Sequence, residues 1–352
     1  MRNPRAGGAE KTIFEVGKYL ISKGHEVQLL TGSWKGAPRH ETIEGIHIHR
    51  YGNRLGPHLV HPAYLRYHKE ADLVIDDLAH AAPWFSPWLT RKPGIALFRH
   101  LHARTLMGQA SLPLARILTL LEREYPLIYR KWPFVTHSKK GAEDLEKLGV
   151  ETDKITIIPP GVDTHLFRVG KKTEKPSILY FGGMRPYKRP EHALIALKLL
   201  LNKGIDANLS MVGDGPSLNF LKSLATDLHL QNRVKFTGRL SEEDLSKLIS
   251  ESWINVHCSI SEGWCISVME AAASGVPTVA YKVPGISESV KEGVTGKLVE
   301  DGDLTSLAKS LEESLSDPDN SAASKCLQHA SNYSWEAVSQ AWEKRLKLLI
   351  VS

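Results

Sequence analysis

The chain has 352 residues, 42% apolar and 24% charged. This is the make-up of a folded globular protein long enough for two domains, and it excludes a disordered or fibrous chain. No apolar run reaches the roughly 20 residues that cross a bilayer, and Met1-Arg2-Asn3-Pro4 does not open a signal peptide, so a cytoplasmic protein is expected. The net charge of +6 is uneven: residues 1–170 hold 24 Lys and Arg against 17 Asp and Glu, residues 171–352 hold 21 against 22, and from Trp88 to Lys140 ten basic side chains face only Glu122 and Glu124. Such a face attracts phosphates, nucleic acid or an anionic membrane. Cys258, Cys265 and Cys326 have neither CxxC spacing nor a histidine motif, which argues against a zinc site or a disulfide framework and for small buried side chains.

In chain order, helical and strand patterns alternate, the mark of an α/β protein with parallel sheets. "AEKTIFEVGKYLISKG" places Ile13, Val16, Tyr19 and Leu20 at helical spacing, and Gly24 stops it. "HEVQLLT", "IHIHRY", "DLVIDD", "GIALF" and "FVTHS" read as short strands. "SLPLARILTLLEREYPLIYRKW" reads as a helix with Pro113 at its start and a break at Pro126. The polar stretch from Arg168 to Ser177 has the composition of a linker. Beyond it the alternation resumes: strand "SILYFG", a helix from Glu191 to Asn202, strand "ANLSMVG", a helix from Ser217, strand "VKFTG", helix "SEEDLSKLISES", strand "WINVHC", the helix of "EGWCISVMEAAASG", and strand "PTVAY". The expected partition is one α/β domain over 1–170, a second over 171–333, and an amphipathic helix over 334–352 that packs back on the first. "RAGGAE" begins only five residues from Met1, so the strand that ordinarily delivers a chain to such a glycine turn is expected to be missing, leaving exposed strand edges.

In "EGWCISVMEAAASG", Glu262 and Glu270 bracket an apolar stretch. On a helix they lie roughly 12 Å apart along the axis, too far for a glycosidase-type acid pair, which needs about 5 to 9.5 Å. One ligand touching both must be elongated with a negative middle. A nucleoside diphosphate sugar fits, its pyrophosphate over the helix N-terminus where free N–H groups and the dipole converge. "VGDGP" offers Gly213 and Gly215 for a tight turn at the end of a strand.

The order of "GGAE", "FRHLHAR", "FVTHSKKGAEDLEKLGV", "IIPPGVDTHLF", "GGMRPYKRP", "VGDGP", "FTGRL" and "SEGWCISVMEAAASG" resembles the family 4 glycosyltransferases, over essentially the whole chain. The resemblance implies the GT-B fold: two Rossmann-like domains facing a central cleft, a nucleotide-sugar donor, retention of anomeric configuration, and no metal or other cofactor. It places Gly8 against the donor phosphates or the acceptor and His100, with His102 second, beside the transferred sugar. It puts Lys188 on the diphosphate, Arg239 and Leu240 on the base, and Glu262 on the sugar hydroxyls. The amides of Trp264, Cys265 and Ile266 then meet sugar and phosphate, and Glu270 holds the ribose. Where the family has an arginine beside the lysine this chain has Gly183, and Arg185 is the candidate substitute.

The reaction implied is transfer of a hexose from a UDP- or GDP-sugar to an acceptor hydroxyl by same-face attack, with His100, Lys188 and Glu262 as catalytic candidates. A nucleotide-sugar epimerase, a phosphorylase and a non-catalytic nucleotide-sugar-binding subunit are the alternatives. The basic segment, with Trp84, Phe85, Leu101, Leu106, Met107 and Leu112 around Arg104, Arg116 and Arg123, suits peripheral contact with an anionic membrane and a lipid-linked or other saccharide acceptor. Nucleic acid is not expected, because no binding module accompanies the charge.

Overall fold

A computed structural model of the chain describes residues 8–52, 56–79, 81–101, 112–316 and 322–351. It divides into two compact units, Met1–Pro160 with Trp335–Ser352, and Gly161–Ser334. The division falls at Pro160 rather than at 170, and the reason is packing. Val162 and Phe167 are buried in the second unit with Leu179, Met269 and Cys326, and the Val162 N–H donates to the Tyr333 carbonyl at 2.8 Å.

The first unit contains β1 (Gln28–Thr31), β2 (His40–Ile43), β3 (Ile46–Arg50), β4 (Val74–Asp77), β5 (Gly94–Phe98), β6 (Phe134–Thr136) and β7 (Ile155–Ile157). They form two sheets, β1-β3-β2 and β4-β5-β6-β7. All pairings are parallel except β2 with β3. That hairpin turns through Glu44 and Gly45, both at positive φ, as a two-residue turn requires. Three of the four residues of β2 are polar and it is alternately exposed, so its sequence does not announce a strand; nor does that of β7. Among the described residues β1 and β4 each pair on one side only, and Ile75 of β4 is 40% exposed, whereas β5 is buried throughout.

On one face of the four-stranded sheet Phe98, Tyr125, Tyr129, Trp132, Phe134 and Leu145 cluster. On the other, Ile95, Leu97 and Val135 meet Val16 of the first helix (Gly8–Ser22) and Trp335, Val338 and Trp342 of the last (Trp335–Val351). Tyr19 donates to Glu343 between those two helices at 2.9 Å. The expected proline break is present: one helix spans Leu112–Arg123 and a second, Tyr125–Ile128, starts with Pro126 in its first turn.

The second unit is one six-stranded parallel sheet in the order β10-β9-β8-β11-β12-β13, made of β8 (Ser177–Phe181), β9 (Asn208–Val212), β10 (Val234–Gly238), β11 (Ile254–His257), β12 (Thr278–Tyr281) and β13 (Gly296–Val299). Its central strands β11 and β12 are buried throughout, as a parallel sheet covered on both faces demands. The helices Glu191–Asn202 and Leu304–Leu315 contribute to one core cluster, and Ile266–Ala273 and Ala323–Ser331 to a second. All three cysteines are free and buried. The chain runs outward from β8 to β10 and then returns to place β11 beside β8, so the direction of winding reverses between β8 and β11. Open α/β sheets bind ligands at that reversal, beyond the carboxyl ends of the strands.

Candidate active site

Two loops leave the sheet at the reversal, Gly182–Lys188 after β8 and Cys258–Cys265 after β11. Their meeting point is an ion pair. Lys188 Nζ donates to Glu262 Oε1 at 2.8 Å, with the two side chains only 18% and 15% exposed. Ser259 Oγ donates to the same carboxylate oxygen at 2.8 Å, and His257 Nε2 lies 4.0 Å from it. Burial pushes the Glu262 carboxyl up, but Lys188, His257 and Ser259 outweigh it and hold the group below its ordinary range. Burial likewise opposes the Lys188 charge, and Glu262 overrides it, so the ammonium is held well above its ordinary value. His257 is driven down to about 4, chiefly by burial, and is neutral. The pair is therefore fully ionised at neutral pH.

The loops are pinned by neighbouring groups. Arg189 Nε donates to the Cys258 carbonyl at 2.8 Å, its guanidinium pairs with Asp301 and covers the Tyr281 ring. The Ile260 N–H donates to the Tyr187 carbonyl at 2.9 Å, and the Glu262 N–H to the Pro284 carbonyl at 3.1 Å. Gly285 has φ +77°, and a Cβ there would lie 2.0 Å from the Glu262 carbonyl oxygen, so only glycine lets this turn support the Glu262 loop.

The helix Ile266–Ala273 begins at Cys265 with no side-chain cap, and the N–H groups of a helix's first turn have no partner within the helix. Glu270 is buried on this helix. Trp264 packs against Tyr333, and Gly275, at φ +67°, follows the helix end. Arg185 is exposed, and its side chain runs over Gly183: a Cβ at 183 would stand 3.7 Å from Arg185 Nε. Gly213 adopts φ +127° and lets the chain pass the Gly182 carbonyl, which a Cβ would meet at 2.0 Å. Arg239 and Leu240 follow β10, with Leu240 packed against the second core cluster. Arg185, Lys188, Gly213, Arg239, Leu240, Glu262, Trp264 and Cys265 thus belong to segments at the strand ends, and Ile266 and Glu270 to the helix that starts there.

In the first unit Gly8 opens the first helix and His100 follows β5, exposed. Arg116 and Arg123 are exposed on the helix Leu112–Arg123. Gly7, His102, Arg104, Leu106 and Met107 lie outside the described residues. Two polar networks in this unit escaped the sequence reading. Arg99, just before His100, grips Asp77 with Nε and Nη2, both at 2.8 Å, and contacts His137 Nε2 at 3.2 Å. Their signal was present: "VIDD", "IALFR" and "FVTH" each end an apolar strand on a charged or titratable residue. Elsewhere His61, Ser86 and Asp76 hold the components of a nucleophilic triad in the wrong order. The Ser86 hydroxyl, fully buried, donates to Asp76 at 2.6 Å, and burial pushes that carboxyl up to about 7. The Ser86 hydroxyl has no exposure to solvent and so cannot meet a substrate, which makes the trio a buried polar contact rather than a nucleophilic site.

Comparison with known proteins follows the two units. The family model described as glycosyl transferases group 1 matches residues 162–332, and the one described as glycosyltransferase family 4 matches residues 6–166. The chain is similar to a D-inositol 3-phosphate glycosyltransferase of Nocardia farcinica, 28% identical over 74% of this chain and 63% of that protein; the match thus spans less than two thirds of that relative. It is also similar to an uncharacterised glycosyltransferase of Methanocaldococcus jannaschii, 24% identical over 85% of this chain and 82% of that one. In fold it is similar to sucrose-phosphate synthase from Thermosynechococcus elongatus, with a TM-score of 0.81 at 20% identity over 98% of this chain and 94% of that one. The Anabaena protein HepE in complex with UDP and glucose has a TM-score of 0.77 at 19% identity over 99% of this chain and 98% of that one.

Proposed function

The chain is a glycosyltransferase of the GT-B fold and the family 4 type, and from that premise we propose that it moves a hexose from a UDP- or GDP-sugar to an acceptor hydroxyl with retention of configuration. The observation that supports this reading is the Lys188–Glu262 ion pair at the reversal of strand order, beside an uncapped helix N-terminus. A diphosphate lying over that terminus meets free N–H groups and one ammonium. Glu262, ionised and aimed at the same point, accepts hydrogen bonds from sugar hydroxyls. Because Glu262 already neutralises Lys188, a second cation is needed for the leaving phosphate, and Arg185 lies over the position the family gives to arginine. Catalysis in this scheme is positioning plus stabilisation of leaving-group charge. The departing phosphate oxygen takes the acceptor's proton, so no covalent intermediate is required.

A thermal-shift screen of UDP- and GDP-sugars identifies the donor: a ligand at 100 times its Kd raises stability by about 2.7 kcal/mol. With that donor, Lys188→Ala should lower kcat and Glu270→Ala should mainly raise KM. Equal, small effects of both reject the assignment. Binding without turnover would indicate a binding subunit, turnover without an acceptor an epimerase, and consumption of phosphate a phosphorylase.

The acceptor reading rests on a second surface. On the helix Leu112–Arg123, Leu112, Leu114, Ile117 and Leu120 are 40–64% exposed, and Trp88 and Leu127 are comparably exposed nearby in sequence. Exposed Arg116, Arg123 and Arg130 lie among them. Trp88, Ile128, Arg130 and Lys131 also line a cavity of about 170 Å³. No helix among the described residues is long and apolar enough to cross a membrane. Apolar side chains among cations suit the boundary of an anionic bilayer, where each cation contributes about 1 kcal/mol, and such attachment at the cytoplasmic face suits a lipid-linked saccharide acceptor. Co-sedimentation with vesicles of anionic lipid should weaken at high salt and fall for Arg116→Glu, Arg123→Glu and Ile117→Asp. Binding indifferent to lipid charge rejects this attachment, and rapid glycosylation of a soluble small molecule rejects the lipid acceptor.

A further inference from the structure

Four parallel strands of the first unit end around one guanidinium. Arg99, the residue after β5, is 8% exposed and places every arm of its fork. Nε and Nη2 form a bidentate pair with Asp77, the last residue of β4, both bonds 2.8 Å. Nη1 reaches Nε2 of His137, the residue after β6, at 3.2 Å. His137 Nδ1 lies 2.9 Å from the carbonyl oxygen of Ile158, the residue after β7. A carbonyl only accepts, so Nδ1 carries the proton and Nε2 offers Arg99 a lone pair. Arg99 Nη2 also donates to the carbonyl of Ala9, in the first turn of the helix Gly8–Ser22, at 3.3 Å. Directly, and through His137 to the end of β7, this one side chain joins the ends of β4, β5, β6 and β7 to the first turn of the helix Gly8–Ser22.

We infer that Arg99 is a positioning residue, whose guanidinium sets the place of its neighbour His100 relative to the Gly8 turn. The inference rests on the reading above, in which those two elements contact donor or acceptor; the fixation itself stands on the network. No other side chain can substitute for it. A lysine offers a point charge in place of a planar fork and cannot hold both Asp77 oxygens, His137 and Ala9 together. The contact with Ala9 is the long, weak arm, and a small rotation of the guanidinium loses it first.

The test uses Arg99→Lys, which keeps the charge beside Asp77, and Asp77→Asn, which removes the carboxylate that orients the fork. Hydrogen–deuterium exchange of the full chain reads fixation without needing a substrate. In both variants amides of residues 8–13 and 99–101 should exchange at least tenfold faster, while the Gly161–Ser334 unit is unchanged. With the donor found in the nucleotide-sugar screen, kcat should fall more than tenfold and donor KM by less than threefold in either direction. Unchanged exchange in both segments overturns the inference. So does a lowered thermal midpoint with unchanged kcat, which would make Arg99 a stabilising residue only. If the wild-type chain turns over no nucleotide sugar, the functional reading fails separately, and the exchange experiment still decides whether Arg99 fixes the turn.

Discussion

Replacing Glu262 by Gln removes one charge from a pair whose members are each more than four-fifths buried. Breaking a fully buried pair costs about 3–5 kcal/mol, because the remaining charge keeps its desolvation penalty without its partner. Here the amide still accepts from Ser259, and Lys188 has some access to water, so a loss near the lower end, about 3 kcal/mol, is expected. For a domain of this size about 2–4 °C accompanies each kcal/mol, which places the thermal midpoint of the Gly161–Ser334 unit about 6–12 °C lower. Adding Lys188→Met to Glu262→Gln removes the stranded charge and should recover about 2 kcal/mol, a strong positive coupling in a double-mutant cycle. Without Glu262, burial is the largest influence left on Lys188 and acts to lower its pKa, so the deficit shrinks as pH rises. Urea unfolding of the ligand-free chain, followed by exchange in peptides covering β8 and β11, isolates this unit. A loss under 1 kcal/mol for Glu262→Gln, with the double variant additive, would refute the coupling and the buried character of the pair.

His137 and His257 are each held at about 4, first by burial; the unfolded chain binds their protons near pH 6.5, so stability is lost as pH falls from about 6.5 to 4, by up to about 1.4 kcal/mol per unit for each. Asp76, raised by burial to about 7, acts with the opposite sign in the first unit, and His257→Asn should flatten the acid limb of the second unit alone in pH-dependent urea titrations. Gly285→Ala forces a side chain at φ +77° against the Glu262 carbonyl, at a cost of about 1–3 kcal/mol; donor KM should rise, and an unchanged KM would show that this turn does not hold the Glu262 loop. Transfer is expected to persist in EDTA, and complete loss restored by Mg²⁺ or Mn²⁺ would overturn leaving-group stabilisation by Lys188, Arg185 and the helix terminus alone.

Periodicity and punctuation determined the elements that depend on neighbours in sequence. The helix Glu191–Asn202 has the bounds its pattern implied, and Ser241 caps the helix Glu242–Glu251 through the Asp244 N–H. Gly275 follows the end of Ile266–Ala273, and Pro126 marks the helix break. The ordered motifs also carried the family, and they singled out Lys188, Glu262 and Glu270 as candidates whose roles the proposed substitutions test. Strand order is another matter, because it depends on contacts between residues far apart in the chain. Lys188 and Glu262 stand 74 positions apart and meet because β11 returns to pair with β8, which no local pattern encodes. The same holds for Pro160 as the boundary, which follows from Val162 and Phe167 burying themselves in the second core rather than from the polar composition of the stretch after them. Arg99 looked like one more cation in a basic segment. Adjacent strands ending at one level bring Asp77 and His137 to its guanidinium, the first helix packed on that sheet brings the Ala9 carbonyl, and there the cost of burying a charge makes each of those partners necessary.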